Sequence, residues 1–443
     1  MKRFPNAIVI ILGVIVLSWV LTFIVPRGSY DRLTNPDTGQ TTVISGSYQL
    51  IEGESLGFFD LIMAIPEGLI SRASLIFLIF LLGGSFYIIE KTGALGQGLQ
   101  WVVDILQKHE GIALTVISLL FAAAGATIGL QEEIIAMAPI LILFCRSLGF
   151  NVYVAVASSY GSAVMGAAFS PMNPFAVVLA QKEANLSLMS GSSYRLLFFG
   201  LAFALWVWYL IRYAKKNRVE REPMNPNRQE PSWRNFAILG MLCLTFGIVT
   251  YGLVSLDWGF NEISACFFLL GLVAGLLGNL GINGTGLTYI EGMKEMTFAA
   301  MIMGLASCIP LLLKEGMIMD TIIHGLFTPI EELPASLSAL GMMASQALLH
   351  FPVSSYSAQA ILTMPILTPL SDLVGISRQV CVLAYQYGAV NMDFIVPTNG
   401  ALMAILAIAE IPYHKWIRFI WRPLVLFFSL AAIAIVTGVL TGF

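Results

Sequence analysis

Three carboxylates stand where carboxylates are rarely tolerated. Glu132 and Glu133 lie side by side inside one long apolar stretch, and Asp393 lies inside another. At the depth of a bilayer core an ionised group must be protonated, paired with a cation, or in contact with water. The residues around them are neutral oxygen and amide carriers. Gln131 precedes the first pair, with Ser170 and Asn173 further on; Ser354, Ser355, Tyr356, Ser357 and Gln359 precede Asp393, and Thr398 and Asn399 follow it. Such groups bind a small polar solute without adding buried charge. Glu132, Glu133, Asn173, Asn391, Asp393 and Asn399 are the candidate cation ligands, because Na⁺ is a hard ion that takes oxygen donors. A second reading of Glu132 and Glu133 stays open: acidic residues also cap helix N-termini.

The elements that must position these residues follow from proline. Ser170-Pro171-Met172-Asn173-Pro174 and Val396-Pro397-Thr398-Asn399-Gly400 interrupt apolar runs. Proline removes a backbone donor and clashes with the preceding turn, so neither run forms one unbroken helix. Lipid offers no hydrogen bonds to the carbonyls this frees, so such breaks survive only where they line a site or cavity. The two breaks share one numbering offset of 226: Pro171 falls on Pro397, Asn173 on Asn399, Pro139 on Pro365 and Gly149 on Gly375. Paired, interrupted apolar segments in corresponding halves are the sequence mark of a transporter site.

Of the 443 residues 57% are hydrophobic and 11% charged. A soluble domain carries about 25% charged residues, so the chain reads as an all-α polytopic membrane protein. A net charge of −3 implies no nucleic-acid partner. Five cysteines without CxxC spacing read as packing residues. No HExxH, GxSxG or P-loop frame is present, which argues against an enzyme and excludes ATP hydrolysis by this chain. No cofactor is implied beyond Na⁺ or H⁺.

Spanning needs roughly 20 apolar residues, which places helices near 6–25, 73–90, 195–213, 234–255, 262–280, 298–314 and 418–441, with an external loop over 27–57 that turns at 35–39. Hairpins are expected over 112–147 and 335–374 and broken helices over 151–184 and 377–409. The basic cluster of Arg212, Lys215, Lys216, Arg218, Arg221 and Arg228 marks a cytoplasmic linker at 212–233 between repeats at 1–211 and 234–443. Lys2 and Arg3 place the N-terminus inside. Reaching that cluster on the inside requires the first hairpin to be re-entrant. The extra crossing at 262–280 then inverts the second repeat. Arg146, Arg195 and Arg378 fall at helix ends, where snorkelling accounts for them. The first helix has no cleavage site and reads as retained.

At several of these positions the chain resembles a known family. The segments GLQEE (129–133), SPMNPF (170–175), QAILTMP (359–365), GISRQ (375–379) and PTNG (397–400), with Pro26-Arg27-Gly28-Ser29-Tyr30-Asp31, are similar to the anaerobic C4-dicarboxylate carrier (DcuC-like) family of the ion transporter superfamily, particularly its YfcC branch. The likeness covers nearly the whole chain. It implies a scaffold, a mobile transport domain holding two hairpins and two broken helices, elevator-type alternating access, frequent homodimers and a bacterial inner-membrane location. Members include dicarboxylate carriers and basic amino-acid or arginine/ornithine antiporters. Relatives often have serine or threonine followed by glycine in the second motif, whereas this chain has Thr398-Asn399-Gly400, and Met172 stands in the middle of its first. The reading is thus a secondary transporter for a small carboxylate-bearing metabolite, with an amino acid, above all a cationic one, best suited to an acid-rich site. A C4-dicarboxylate carrier and an exchanger without net ion coupling are the alternatives.

Overall fold

A computed structural model describes residues 7–34, 41–44, 46–53, 55–95, 97–98, 110–127, 129–221, 232–256, 258–330 and 333–443. Lys2, Arg3, the turn at 35–39, Arg228 and the linker over 222–231 lie outside these.

The helices in order are α1 (Ala7–Ile24), α2 (Phe58–Ser71), α3 (Ala73–Lys91), α4 (Glu110–Thr127), α5 (Glu133–Ser147), α6 (Val152–Ala168), α7 (Leu179–Glu183), α8 (Ser192–Lys216), α9 (Trp233–Ser255), α10 (Phe260–Leu277), α11 (Gly281–Glu295), α12 (Thr297–Glu315), α13 (Met319–Phe327), α14 (Ala335–Leu349), α15 (Tyr356–Leu373), α16 (Arg378–Asn391), α17 (Gly400–Ile408) and α18 (Tyr413–Thr441). Among the described residues six of these helices are long and apolar enough to cross a membrane. Their outward faces are apolar too: Leu196, Leu197 and Trp208 of α8 are exposed while Phe198, Ala202 and Trp206 are buried. A helix apolar all round is one that meets lipid or core on every side.

Helices α2, α11 and α13 are additions to the sequence reading. None is a long uninterrupted apolar run: α2 carries Pro66, α11 holds four glycines and three charged residues, and α13 has only 9 residues, so a spanning criterion passes over them. The segment before α2 is not all loop. It forms two antiparallel ribbons, β1 (Gly28–Ser29) with β4 (Gln49–Leu50) and β2 (Arg32–Thr34) with β3 (Thr41–Val43). Arg32 and the Tyr30 N–H both hold Asp320 at the start of α13, at 2.7 and 3.0 Å. Helix α13 in turn packs beside α14. At the other hairpin, Glu110 at the start of α4 is bridged by Arg218 and Arg221 of the basic cluster.

The interrupted segments lie where the prolines put them. Helix α6, which contains a π turn at Ala157–Gly161, stops at Phe169, and the chain resumes as a π turn at Pro174–Val178 leading into α7. Helix α16 ends in a 3₁₀ turn at Met392–Phe394 and resumes as α17. Matched local features recur at the offset. Asn151 and Ser377 cap the N-termini of α6 and α16, and Gly149 and Gly375 adopt φ of +80° and +73° just before them, a left-handed turn that suits glycine. Asn173 and Asn399 cap the resumed halves.

Packing is closest where each hairpin's first arm meets a broken helix. A Cβ on Gly166 would stand 2.0 Å from the Ala122 carbonyl, one on Gly125 2.1 Å from that of Ala163, and one on Gly388 2.3 Å from that of Met343. Missing side chains let α4 touch α6, and α14 touch α16, backbone to backbone, the device of helices that associate in lipid. The return arms exchange partners: α5 packs on α17 and α15 on α7.

Three of the five cysteines are buried; Cys243 is exposed and Cys266 half-buried, so packing accounts for only part of the set.

Candidate functional site

Proline at position i frees the carbonyl at i−4, and a buried free carbonyl needs a donor. Pro397 frees the Asp393 carbonyl, which accepts from the Tyr160 hydroxyl at 3.1 Å. Pro171 frees that of Ala167, which accepts from Gln386 Nε2 at 3.3 Å; the same amide reaches the Ser170 carbonyl at 2.9 Å. Tyr160 lies on α6 and Gln386 on α16, and their numbers differ by the same 226 as the prolines. Each broken helix therefore supplies the donor that repairs the break in the other.

Each break is also hung from its own hairpin. Ser170 Oγ donates to the Ala126 carbonyl at 2.6 Å and Asn173 Nδ2 to that of Gly125 at 2.7 Å. Thr398 Oγ donates to the Phe351 carbonyl at 2.6 Å, and Ser354 Oγ to that of Thr398 at 3.0 Å. Asn173 Oδ1 takes the N–H groups of Phe175 and Ala176, and Ser170 Oγ those of Met172 and Asn173. Ser170 and Asn173 are thus fully engaged in holding the first break. In the second, the carbonyls of Phe394 and Ile395 accept from Trp416 Nε1 at 2.8 Å and from the Tyr413 hydroxyl. These two unwound oxygens, of a kind that would suit Na⁺, are engaged by aromatic donors.

Both hairpin tips meet at Asp393. Gln131 Nε2, from the first tip, lies 2.6 Å from the Tyr356 hydroxyl of the second and 3.1 Å from Asp393 Oδ2. The Tyr356 hydroxyl donates to the same Oδ2. Asp393 Oδ1 faces His350 Nε2 at 2.8 Å and Asn399 Nδ2 at 2.6 Å. His350 Nδ1 lies 2.7 Å from Gln359 Oε1, and Gln359 Nε2 donates to the Gln346 side chain and carbonyl. Sequence reasoning missed His350, the last residue before the second hairpin turns. It also gave Asp393 no basic neighbour, and His350 corrects that. Arg72 stands at the α2–α3 junction, and α3 packs on α5, the helix at whose start Glu132 and Glu133 lie.

The remaining candidates divide. Glu133 begins α5 and accepts from the Gln131 N–H at 3.3 Å, a bond within the tip; Glu132 is the N-cap residue of that helix and makes no side-chain cap bond. Asn391 donates to the Tyr387 carbonyl at 2.9 Å while its buried Oδ1 has no partner. Ser355 is the N-cap of α15 without a side-chain cap bond, and Ser357 follows in the first turn of that helix, outside the Asp393 cluster. Arg195 does not snorkel. It is buried, donating to the Ser190 carbonyl and Gln379 at 2.9 and 3.1 Å. Arg378 pairs with Asp372 at 2.8 Å. Among the described residues no group of three or more His, Cys, Asp or Glu is placed to hold a metal ion.

A polytopic chain whose breaks and hairpin tips converge on buried polar residues is a membrane transporter in class, and the comparisons agree. A model of the C4-dicarboxylate anaerobic carrier family matches residues 4–440, and the chain belongs to that family. It is 30% identical to a "putative basic amino acid antiporter YfcC" of Escherichia coli (strain K12), over 99% of this chain and 97% of that one. It is 29% identical to an uncharacterized protein of Haemophilus influenzae over 94% and 93% of the two chains. Among solved structures it is similar to the YdaH transporter of Alcanivorax borkumensis (16% identity, 99% of both chains, TM-score 0.45) and to MtrF of Neisseria gonorrhoeae (14% identity, 99% and 96%, TM-score 0.43).

Proposed function

We propose that the protein is a secondary active transporter that carries a small carboxylate-bearing metabolite, an amino acid and above all a cationic one, across the bacterial cytoplasmic membrane with ion coupling. The observation that carries this is the convergence of both hairpin tips on Asp393 of the second break, two tips from separate halves touching through Gln131 and Tyr356. Inverted repeats are supported by the reciprocal donors Tyr160 and Gln386, and by the opposite moorings of the hairpins. Glu110 is tied to the basic cluster, which the positive-inside rule puts in the cytoplasm, whereas α15 and α13, the neighbour of α14, pack on the 28–50 ribbons. From that orientation the N-terminus is inside, the first hairpin opens inward and the second outward. Elevator-type motion and a homodimer are the accompanying proposals from the family resemblance.

Charge selects the substrate. With Asp393 paired to His350, the carboxylates left over are Glu132 and Glu133, and the guanidinium of Arg72 stands at the start of helix α3, which packs on theirs. A dicarboxylate would meet more negative than positive charge; an amino acid offers its carboxylate to Arg72 and its cationic groups to the glutamates. The antiporter name of the Escherichia coli relative points the same way. Uptake of labelled lysine, arginine and succinate into proteoliposomes tests the proposal, and faster uptake of succinate than of either amino acid would overturn the substrate assignment.

A further inference from the structure

The hydrogen-bond network around His350 leaves room for one assignment of its protons. Gln359 Nε2 faces two acceptors, the Gln346 carbonyl at 2.8 Å and Gln346 Oε1 at 2.7 Å. The backbone carbonyl cannot be turned round, so the amide must point its N–H₂ there and its Oε1 at His350. Nδ1, 2.7 Å from that oxygen, then carries a proton. On the other side Asn399 is oriented by the Leu402 N–H, which its Oδ1 accepts at 2.9 Å, so its N–H₂ points at Asp393 Oδ1. Asp393 receives Tyr356 and Gln131 on Oδ2, and Asn399 and His350 on Oδ1. One more proton must sit between Nε2 and Oδ1, or two lone pairs would face each other at 2.8 Å.

We infer that His350 and Asp393 form a proton-binding site: an imidazolium lodged between Asp393 and Gln359, whose extra proton is the ion that couples the transport cycle. The pair is neutral with this proton and carries one negative charge without it. His350 is 0% exposed and Asp393 1%, so the proton exchanges with water only when the second hairpin's tip parts from the second break. One H⁺ enters from the side to which that contact opens and one leaves to the other side. The ring is fixed meanwhile by stacking against Tyr356, with centroids 5.7 Å apart. The other titratable groups bearing on it are Tyr160 from α6, Tyr356 from α15, Tyr385 from α16, whose hydroxyl donates to the Tyr356 carbonyl, and Glu132, Glu133 and Arg72 from across the first tip. The occupied carbonyls of Phe394 and Ile395 favour a proton over Na⁺ here. The coupling half of this inference rests on the transport reading above; the proton itself does not.

Solid-state NMR of the full chain, labelled with ¹⁵N-histidine in liposomes, reads the proton directly. The expected result is a doubly protonated ring at neutral and mildly alkaline pH, absent from His350→Gln. Should that variant not accumulate, replacing the other three histidines by asparagine leaves His350 as the sole imidazole. In Asp393→Asn the ring should become neutral, with one unprotonated nitrogen. An unprotonated ring nitrogen at His350 in the wild-type protein overturns the proposal. In the same vesicles an imposed pH gradient should change the rate of amino-acid uptake several-fold in wild type and not in Asp393→Asn. Uptake indifferent to the gradient overturns the coupling while leaving transport intact. Absence of uptake of any amino acid overturns the transport reading and the coupling with it.

Discussion

The reciprocal repair of the two breaks can be tested by removing one donor at a time. Tyr160→Phe keeps the ring and deletes only the hydroxyl that donates to the Asp393 carbonyl at 3.1 Å. Gln386→Leu keeps the volume and deletes the amide that serves Ala167 and Ser170. A buried acceptor left without a partner costs about 1–3 kcal/mol. Among the described residues Tyr160 serves the side of the Asp393 carbonyl that Pro397 frees, so Tyr160→Phe should cost that amount in full. Gln386→Leu deprives the Ser170 carbonyl fully, but Ala167 keeps the Ser170 N–H at 3.3 Å, so its cost should be similar despite two lost bonds. Thermal unfolding in detergent, followed by fluorescence size-exclusion chromatography, should show both variants melting lower by comparable amounts. The sites share no side chain, so the double variant should lose about the sum, within a few tenths of a kcal/mol. Melting of both variants at the wild-type temperature would mean that these bonds do not hold the breaks.

Three further outcomes follow. Asn173 uses every polar atom of its side chain to hold the first break, so Asn173→Ala should destabilise by about 1–3 kcal/mol, measured by the same melt, rather than act as a silent ligand deletion. Glu133→Gln retains an oxygen for the Gln131 N–H and should cost at most about 1 kcal/mol in stability; if the carboxylates recognise the cationic end of the substrate, this variant and Glu132→Gln should raise KM for arginine at least several-fold. Arg72→Gln should raise KM for an amino acid more than for its decarboxylated amine, which a competition uptake assay reports.

How much was legible in the sequence depends on whether identity or chemistry carried the signal. Prolines and asparagines recur as identical residues, so Pro171 with Pro397 and Asn173 with Asn399 disclosed the breaks, although the asparagines, read as ligands, stand as N-caps of the resumed halves. The repair donors at the same offset are a tyrosine and a glutamine, so a comparison of identities passes over them although their tasks match. His350 was hidden for a different reason. Its counterpart 226 residues earlier is Ala124, and its partner Asp393 is 43 residues away, so neither repeat nor local spacing marked it. Its position as the last residue before the second tip was the available sign. Arg195 reads as a helix-end arginine in one dimension, and only packing against the 190 and 379 segments shows it buried.

The measurement nearest to the central claim is uptake by proteoliposomes of the purified chain, with labelled arginine, lysine and succinate offered in turn, and Asp393→Asn in parallel. Asp393 is the residue on which both hairpin tips converge. The account predicts saturable uptake of a cationic amino acid that Asp393→Asn slows at least tenfold without loss of folded protein. Uptake by a folded Asp393→Asn protein at the wild-type rate would contradict it.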